Sequence, residues 1–409
     1  MDIYEESVKL HRELKGKIEL RSKMQIRSMS DLSLIYTPGV AGPCKEIAED
    51  PSKVYDFTAK ENTIAIVSDG TRVLGLGNLG ELASIPVLEG KSIIFKLLGN
   101  INAIPICLKA KDANEIINTI IAISPNFSGI NLEDIEKPKC FIIERELQER
   151  LDIPVFHDDQ HGTAVVTLAG VFNSLKIVGK KISGIKAVVV GAGAAGIAVT
   201  RYLYRAGCRN IILTDSRGII NRSRSDLDSS KKEMLNITNP ENLQGTFEDA
   251  VKDADLLIGL STIPNLIKPA HIRSMSKDPI VFALSNPFPE IMPDEAKKAG
   301  AKIIATGRSD FPNQINNSLV FPGIFRGALD VRAKVINVQM KIAAAKALAS
   351  LVDDKDLSPD HILPTMIDSR ISAKIAVEVA REAMENGVAR IKRDLKEIEI
   401  NAGKISLSR

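Results

Sequence analysis

Cysteine is scarce in this sequence, and its placement excludes two common structural roles. Only four cysteines occur among 409 residues. They form no C-x-x-C pair and have no neighbouring histidines, so the spacing gives no zinc site and no disulfide framework. We therefore expect reduced and mostly buried thiols at Cys44, Cys107, Cys140 and Cys208.

An excess of one charge sign and a long apolar run are also lacking. The chain has 54 basic against 51 acidic residues and a formal net charge of +3, which is too balanced for a dedicated nucleic-acid surface. The N-terminus has neither the basic start nor the apolar stretch of a signal peptide, and no apolar run approaches the length that crosses a bilayer. We expect a cytoplasmic protein that binds a small molecule and neither nucleic acid nor membrane.

The first part of the chain predicts a compact domain of mixed α and β structure. Short apolar runs at Thr63–Val67, Ser92–Leu98 and Ala103–Leu108 alternate with clusters of Gly, Asn, Asp and Pro, which is typical of buried strands joined by functional turns. The apolar spacing then becomes helical from Gly162 to Val178. We predict an α/β fold whose N-terminal domain covers residues 1–160.

The second part predicts a Rossmann-type domain over residues 161–409. Its strand-like runs are separated by segments long enough for helices, which indicates a doubly wound parallel sheet. Alanine-rich or charge-rich helices are expected at Ala333–Leu351 and Ser372–Leu395 to close the chain. The predicted strands are Ala187–Val190, Ile211–Thr214, Asp255–Leu260, Ile280–Leu284 and Lys302–Ala305.

A glycine-rich turn follows the first strand of that domain and predicts a dinucleotide site. The G-x-G-x-x-G pattern lets the chain turn tightly and lets backbone N–H groups approach a pyrophosphate at a helix N-terminus. The predicted helix begins close behind it, and the predicted second strand ends about twenty residues later in an acid, as ribose recognition requires. The residues of this site are Gly191, Gly193, Ala194, Ala195, Gly196 and Asp215.

The sequence favours NAD as the cofactor and leaves NADP as the alternative. Asp215 would bond a ribose 2′-hydroxyl, which favours NAD. Arg217, Arg222 and Arg224 follow closely and could neutralise a 2′-phosphate, although arginines in a polar loop are often only solvated.

Two acidic pairs offer oxygen ligands for a hard divalent ion. Glu133-Asp134 and Asp158-Asp159 supply the carboxylates that Mg²⁺ and Mn²⁺ prefer. Because acids also cap helices and complement the helix dipole, such a pair taken singly is more often a helix cap than a metal ligand.

Taken together, the motifs resemble the malic enzyme family, in its short bacterial and archaeal form, from about residue 30 to residue 331. Several unrelated motifs occur in the family's order. They are Tyr36-Thr-Pro-Gly-Val, Ser68-Asp-Gly-Thr-Arg72-Val-Leu-Gly-Leu-Gly-Asn-Leu-Gly, Gly90-Lys91, Glu133-Asp134, Asp158-Asp159-Gln-His-Gly-Thr, Ala283-Leu-Ser-Asn286-Pro, Asn316-Asn317 and Phe321-Pro-Gly.

The resemblance implies roles for three residues in malate oxidation and decarboxylation to pyruvate. Lys91 would take the C2 hydroxyl proton, Tyr36 would protonate the enol, and Arg72 would hold a substrate carboxylate. Because a lysine acts as a base only when its pKa is lowered, we expect the metal and Arg72 to favour its neutral form. Each residue also has a structural reading, as a buried aromatic, a solvated lysine and a turn arginine.

The resemblance also implies the remaining ligands and the assembly. Glu133, Asp134 and Asp159 would hold the metal ion, and Asn286 and Asn317 would face substrate and nicotinamide, with Asn317 preferred over its neighbour Asn316. A homodimer or larger assembly is implied as well. Two alternatives remain: conversion of malate to lactate with retained cofactor, and a catalytically inactive dinucleotide-binding regulator.

Overall fold

Two parallel β-sheets organise the chain. The computed structural model describes residues 3–110, 112–261 and 263–403. Within these residues the strands are β1 Thr63–Ser68, β2 Asn102–Cys107, β3 Ile130–Leu132, β4 Val155–His157, β5 Lys186–Val190, β6 Asn210–Asp215, β7 Gly218–Ile219, β8 Leu256–Gly259, β9 Ile280–Ala283 and β10 Ile303–Thr306.

The first sheet contains four parallel strands in the order β2-β1-β3-β4. Side chains alternate between its two faces, so Ile64 and Ile66 of β1 join one apolar cluster while Ala65 and Val67 join another. Both faces are therefore covered by helices, as a parallel sheet requires.

The second sheet has the order β10-β9-β8-β5-β6-β7 and is parallel except for the short β7. From β5 the chain continues to β6 on one side and later to β8 on the other. Ligands of doubly wound sheets bind at the carboxyl ends of strands where the order reverses in this way. The glycine-rich turn at Gly191 follows β5 directly and thus lies at that point.

Helices cover both sheets and close the chain. In order they are α1 Ile3–Leu14, α2 Met29–Ile35, α3 Ala41–Glu49, α4 Val54–Phe57, α5 Glu81–Gly99, α6 Ala113–Ile123, α7 Lys139–Arg150, α8 Asp158–Val178, α9 Ala194–Arg205, α10 Ser229–Met234, α11 Phe247–Val251, α12 Pro269–Arg273, α13 Pro293–Lys298, α14 Phe321–Asp330, α15 Val338–Ala349, α16 Arg370–Glu385 and α17 Leu395–Gly403.

One apolar core runs through both sheets and the C-terminal helices. It contains Ile66 of the first sheet, Val189 of the second, Phe325 of α14 and Ile375 of α16. Helix α8 packs on α9 and α15, and α14 packs on α5. Among the described residues, α8 alone has the length and apolar character of a membrane span, yet about two-thirds of it (67%) is buried, as in a core helix.

The prediction of an α/β fold with a Rossmann-type sheet is confirmed, but three local predictions are wrong. Ser92–Leu98 belongs to α5, because an unbroken apolar run is compatible with a buried helix as well as a strand. The helix expected from Ala333 begins at Val338, after Asn337 accepts the N-capping bond. The helix expected over Ser372–Leu395 ends at Glu385, just before Gly387 adopts a positive φ of 76°.

The helices of the N-terminal segment bury almost nothing. No described side chain of α1, α2, α3 or α4 is buried. The contacts of this segment with the body include Lys17, whose backbone N–H donates to Glu89 of α5 at 2.9 Å. Residues 3–57 carry 15 of the large apolar side chains that are exposed.

Candidate active site

The acidic pairs converge at the carboxyl edge of the first sheet. Glu133 and Asp134 directly follow β3, and Asp159 lies in the first turn of α8, immediately after β4. Because neighbouring parallel strands end at the same edge, the pairs meet although 25 residues separate Asp134 from Asp159. One carboxylate oxygen from each of the three lies within 4.8 Å of the others.

Lys91 lies beside this cluster, on the helix that packs against β1 and β2. Its Nζ is buried and donates to the carboxylates of Glu133 and Asp158. Burial disfavours the ammonium, but the charges of Asp158 and Glu133 outweigh it and raise the pKa of Lys91. The neutral lysine expected from sequence is therefore not the form that these side chains favour by themselves.

Asp158 belongs to one of the acidic pairs found in the sequence but received no role from the family resemblance, and it is central to the site. The carboxylate is fully buried, and its Oδ2 also accepts from Asn317 Nδ2 at 2.5 Å. Gly162, one turn along α8, leaves the space for it, since a Cβ at that position would lie 1.9 Å from Asp158 Oδ1. Its position next to the predicted ligand Asp159 already placed Asp158 near the site. Which of the two aspartates faces Lys91, however, depends on the residue at which α8 begins.

The acid cluster fits a divalent cation. Burial, reinforced by the charge of Asp159, raises the pKa of Asp134 to about 7. Burial also raises the pKa of Glu133 well above its ordinary value, with Lys91 opposing this. Asp134 Oδ2 is buried and has no hydrogen-bond partner among the described residues. Such crowded oxygen donors match the preference of Mg²⁺ and Mn²⁺.

Backbone contacts hold the acidic loop in place. Asp134 has a positive φ of 53°, its carbonyl accepts from the Arg72 N–H at 3.0 Å, and its Oδ1 accepts from the Leu74 N–H at 3.1 Å. Asn131, also absent from the sequence analysis, donates to Glu133 Oε2 at 3.0 Å. Within the described ranges the Arg72 guanidinium has no ion pair or hydrogen bond, so it can receive a ligand.

Two predicted site residues do not join the cluster. Tyr36 follows α2 and is 67% exposed, and within the part of the chain that the structure describes nothing bonds its side chain to Lys91 or to the acids. Asn286 is exposed at the carboxyl end of β9, where its side chain fits against Gly307. Asn286 therefore lies at the ligand-binding edge of the second sheet, whereas Tyr36 lies on the N-terminal segment.

The glycine-rich turn has the geometry of a pyrophosphate cradle. Gly191 has a φ of 105°, and a Cβ there would lie 2.4 Å from the Leu260 carbonyl. A Cβ on Gly196 would lie 1.8 Å from the Gly191 carbonyl, while one on Gly193 would meet nothing within 4 Å. Open space thus lies above the turn.

The helix behind this turn presents free N–H groups to that space. No side chain caps the N-terminus of α9, so the amides of Ala194 and Ala195 point outward with the positive end of the helix dipole. These features fit an anionic pyrophosphate. Lys137, from the acidic loop, donates to the Ala192 carbonyl at 3.1 Å. The acidic site and the dinucleotide cradle are therefore adjacent.

Comparison with known proteins bears on both parts of this site. The profile "Malic enzyme, N-terminal domain" matches residues 15–148, and "Malic enzyme, NAD binding domain" matches residues 160–384. The chain belongs to the malic enzyme family. Within this family, the "Bifunctional malic/malolactic enzyme" of Bacillus subtilis is 51% identical over 408 residues, covering 100% of this chain and 99% of the relative.

Other malic enzymes differ in the cofactor that they are named for. The "NAD-dependent malic enzyme" of Geobacillus stearothermophilus is 53% identical over 375 residues, covering 92% of this chain and 78% of the relative. NADP-dependent malic enzymes match as well. The crystal structure of malic enzyme from Pyrococcus horikoshii superposes with a TM-score of 0.94 at 49% identity, covering 99% of this chain and 96% of that one.

Proposed function

We propose that this chain catalyses the oxidative decarboxylation of (S)-malate to pyruvate and CO₂, with reduction of NAD or NADP and dependence on a divalent metal ion. One observation carries the proposal: a buried lysine lies between two carboxylates beside a cluster of three oxygen donors, next to a dinucleotide cradle. Family membership supports the same activity.

Glu133, Asp134 and Asp159 are the proposed ligands of Mg²⁺ or Mn²⁺. A cation held there would supply Lewis-acid stabilisation of negative charge on the substrate oxygen. Gly191, Gly193, Ala194, Ala195 and Gly196 are the proposed pyrophosphate contacts, and the nicotinamide supplies the hydride acceptor.

Lys91 is the proposed base for the C2 hydroxyl proton. Its Nζ is within hydrogen-bond reach of Glu133 and Asp158, which hold it at a defined point beside the metal ligands. The charges of Asp158 and Glu133 keep it protonated by themselves. A cation held by Glu133 would offset one of these charges and so favour the neutral amine. Asn317 and Asp158 keep the amine oriented through their hydrogen bond.

Tyr36 is the proposed acid that protonates C3 of the enol, and Arg72 the proposed partner of a substrate carboxylate. The hydroxyl proton removed and the proton added at C3 balance, so the reaction has no net proton change. Because Tyr36 is exposed, its segment must approach the cluster when the cleft closes or the assembly forms. Asn286 is proposed to face the substrate and nicotinamide from the second sheet.

We also propose a homodimer, a cytoplasmic location and two domains divided near residue 160. The family profiles meet between residues 148 and 160, in support of that division. The exposed apolar side chains of residues 3–57 support self-association, because monomers rarely leave large apolar surfaces uncovered. Light scattering should give about twice the chain mass of 44.4 kDa, and a monomeric mass would contradict the dimer.

The activity is tested by following reduced nicotinamide and pyruvate with malate, Mn²⁺ and each dinucleotide in turn. Lys91→Met should abolish turnover with dinucleotide affinity retained, while Lys96→Met, on the exposed side of the same helix, should match wild type. Since breaking a buried ion pair costs roughly 3–5 kcal/mol, Lys91→Arg, which keeps the charge, separates loss of the base from loss of stability. An active Lys91→Arg variant would refute the base assignment.

The alternative product is lactate, which the name of the Bacillus subtilis relative raises. In that reaction the reduced cofactor stays bound and returns its hydride to pyruvate. Free reduced nicotinamide with pyruvate supports the malic reaction, and lactate without free reduced nicotinamide supports the alternative. If neither product forms, the regulatory-protein reading replaces both.

A further inference from the structure

The acid at the ribose end of the dinucleotide site has no free acceptor position. Asp215 ends β6, next to the glycine-rich turn, whose Gly191 N–H donates to the Thr214 carbonyl at 3.0 Å. Asp215 Oδ1 accepts from Arg224 Nη1 at 2.8 Å and from the Arg217 backbone N–H at 2.9 Å. Its Oδ2 accepts from Arg224 Nη2 at 3.0 Å and from Lys231 Nζ at 2.6 Å.

These bonds occupy the acceptor positions of the Asp215 carboxylate. An ionised carboxyl group offers about four acceptor positions, and four donors occupy them here. The side chains of Asp215, Arg224 and Lys231 are only 9%, 12% and 17% exposed. A ribose hydroxyl could bond Asp215 only by displacing one of these four donors, three of which are charged, in a partly dry site, which is unfavourable.

The electrostatics agree with this geometry. Burial acts to raise the pKa of Asp215, but the hydrogen bonds from Arg224 and Lys231 outweigh it and lower the pKa to about 2. The acid is therefore fully ionised and fully paired at neutral pH. Its negative charge is thus balanced by Arg224 and Lys231 without a dinucleotide.

Arg224 and Lys231 differ in how many hydrogen-bond donors remain for a ligand. Arg224 also bonds both oxygens of Asp226, at 2.9 and 2.6 Å, so its guanidinium is held on both sides. Lys231 Nζ has Asp215 as its one hydrogen-bond partner among the described residues, although an ammonium has three donors. Lys231 therefore retains donors for a ligand.

Lys231 also lies near the glycine-rich turn. It belongs to α10, whose N-cap is Asp228, and its Nζ donates to Asp215 at 2.6 Å. Asp215 directly follows Thr214, whose carbonyl accepts from the Gly191 N–H at 3.0 Å. The ammonium of Lys231 is therefore close to the first glycine of the turn.

We infer that Lys231, together with Arg224, binds the group at the 2′ position of the adenosine ribose and gives this chain affinity for dinucleotides with a 2′-phosphate. Asp215 is then the anchor of the two cations rather than the acceptor of a ribose hydroxyl. The inference rests on the proposed dinucleotide use but not on malate turnover.

Calorimetric titration of the full chain with NADP and with NAD tests this without malate or metal. Lys231→Gln should weaken NADP binding by about tenfold or more, because a hydrogen bond to a charged group contributes about 1.5–3 kcal/mol. NAD binding should change less than about threefold, since a 2′-hydroxyl gains little from the ammonium. Lys231→Arg should restore NADP binding.

Lys232→Gln is the matched control, because Lys232 is the next residue of α10 and is exposed. It should leave both affinities unchanged. Asp215→Asn, which releases Lys231 from its anchor charge, should tighten or preserve NADP binding and leave NAD binding near wild type.

Other outcomes overturn the inference. Wild-type NADP affinity in Lys231→Gln, together with loss of NAD binding in Asp215→Asn, would make Asp215 the ribose reader. Binding of neither dinucleotide to the wild-type chain would refute both this inference and the proposed function. If the affinities shift as expected but malate is not oxidised, the proposed function alone fails.

Discussion

Substituting alanine for Gly162 tests the packing of the active site most directly. A Cβ there would lie 1.9 Å from Asp158 Oδ1, 2.9 Å from Asp158 Cγ and 3.0 Å from the Asn317 Cβ. The carboxyl group must therefore turn away from Lys91. Overpacking costs about 1–3 kcal/mol, whereas alanine gains about 0.5–1 kcal/mol over glycine within a helix.

We expect a net loss of stability on the order of 1–2 kcal/mol and a loss of malate turnover of about 100-fold, because displacement of a site group by roughly 1 Å has effects of that size. Thermal unfolding and steady-state kinetics measure the two. Gly184→Ala is the control, since a Cβ there meets nothing within 4 Å. It should be neutral or slightly stabilising.

A double substitution identifies the cause. In an Asp158→Ala background the carboxyl group is absent, so adding Gly162→Ala should cost little further stability, while activity stays low. The two changes should thus couple strongly, as contacting residues do. If Gly162→Ala matched wild type in both melting temperature and turnover, the placement of Asp158 against Lys91 would be refuted.

Three further predictions follow from individual contacts. Asp159→Asn should weaken Mn²⁺ binding at least tenfold in a calorimetric titration with little change in melting temperature, because its side chain is only partly buried; an effect on stability alone would indicate a cap. Tyr36→Phe should slow pyruvate formation and leave the melting temperature unchanged, since the ring is exposed, and unchanged malate turnover would remove Tyr36 from the reaction. Asp215→Asn should lower the melting temperature at neutral pH. The pKa of Asp215 is lowered in the folded chain, to about 2. Its contribution to the stability of the folded chain is therefore fully present above pH ~3.9 and is lost as the pH falls from there to about 2. A difference in melting temperature from wild type that persists below pH 2 would contradict the ion pairs.

Local sequence patterns predicted the features that depend on a single short segment of the chain. The five parallel strands of the second sheet were predicted to within one residue of their observed ends, as were the glycine-rich turn and Asp215 at the end of β6, whereas the short β7 was not predicted. The two acidic pairs were also identified, because carboxylates are the ligands that Mg²⁺ and Mn²⁺ prefer, but the strands β3 and β4 that precede them were not predicted. Family motifs added the proposed roles of Lys91 and Tyr36, which no local pattern could supply.

Local patterns failed where a neighbour in space makes the choice. Ser92–Leu98 could form a strand or a helix, and packing of α5 over β1 and β2 decided for the helix. Asp158 and Asp159 are the same residue type, so the sequence alone does not distinguish them. The start of α8 at Asp158 orients Asp158 toward Lys91 and Asp159 toward Asp134.

By itself, then, the sequence determined the α/β class, the doubly wound second sheet, the dinucleotide turn and the inventory of acids, because periodicity, glycine spacing and residue type are properties of short segments. Tertiary structure decided which acid pairs with the lysine, that Asp215 is already saturated by Arg224 and Lys231, and that Tyr36 lies apart. Charge pairing and burial depend on groups distant along the chain, and only the folded arrangement brings those groups within hydrogen-bond distance.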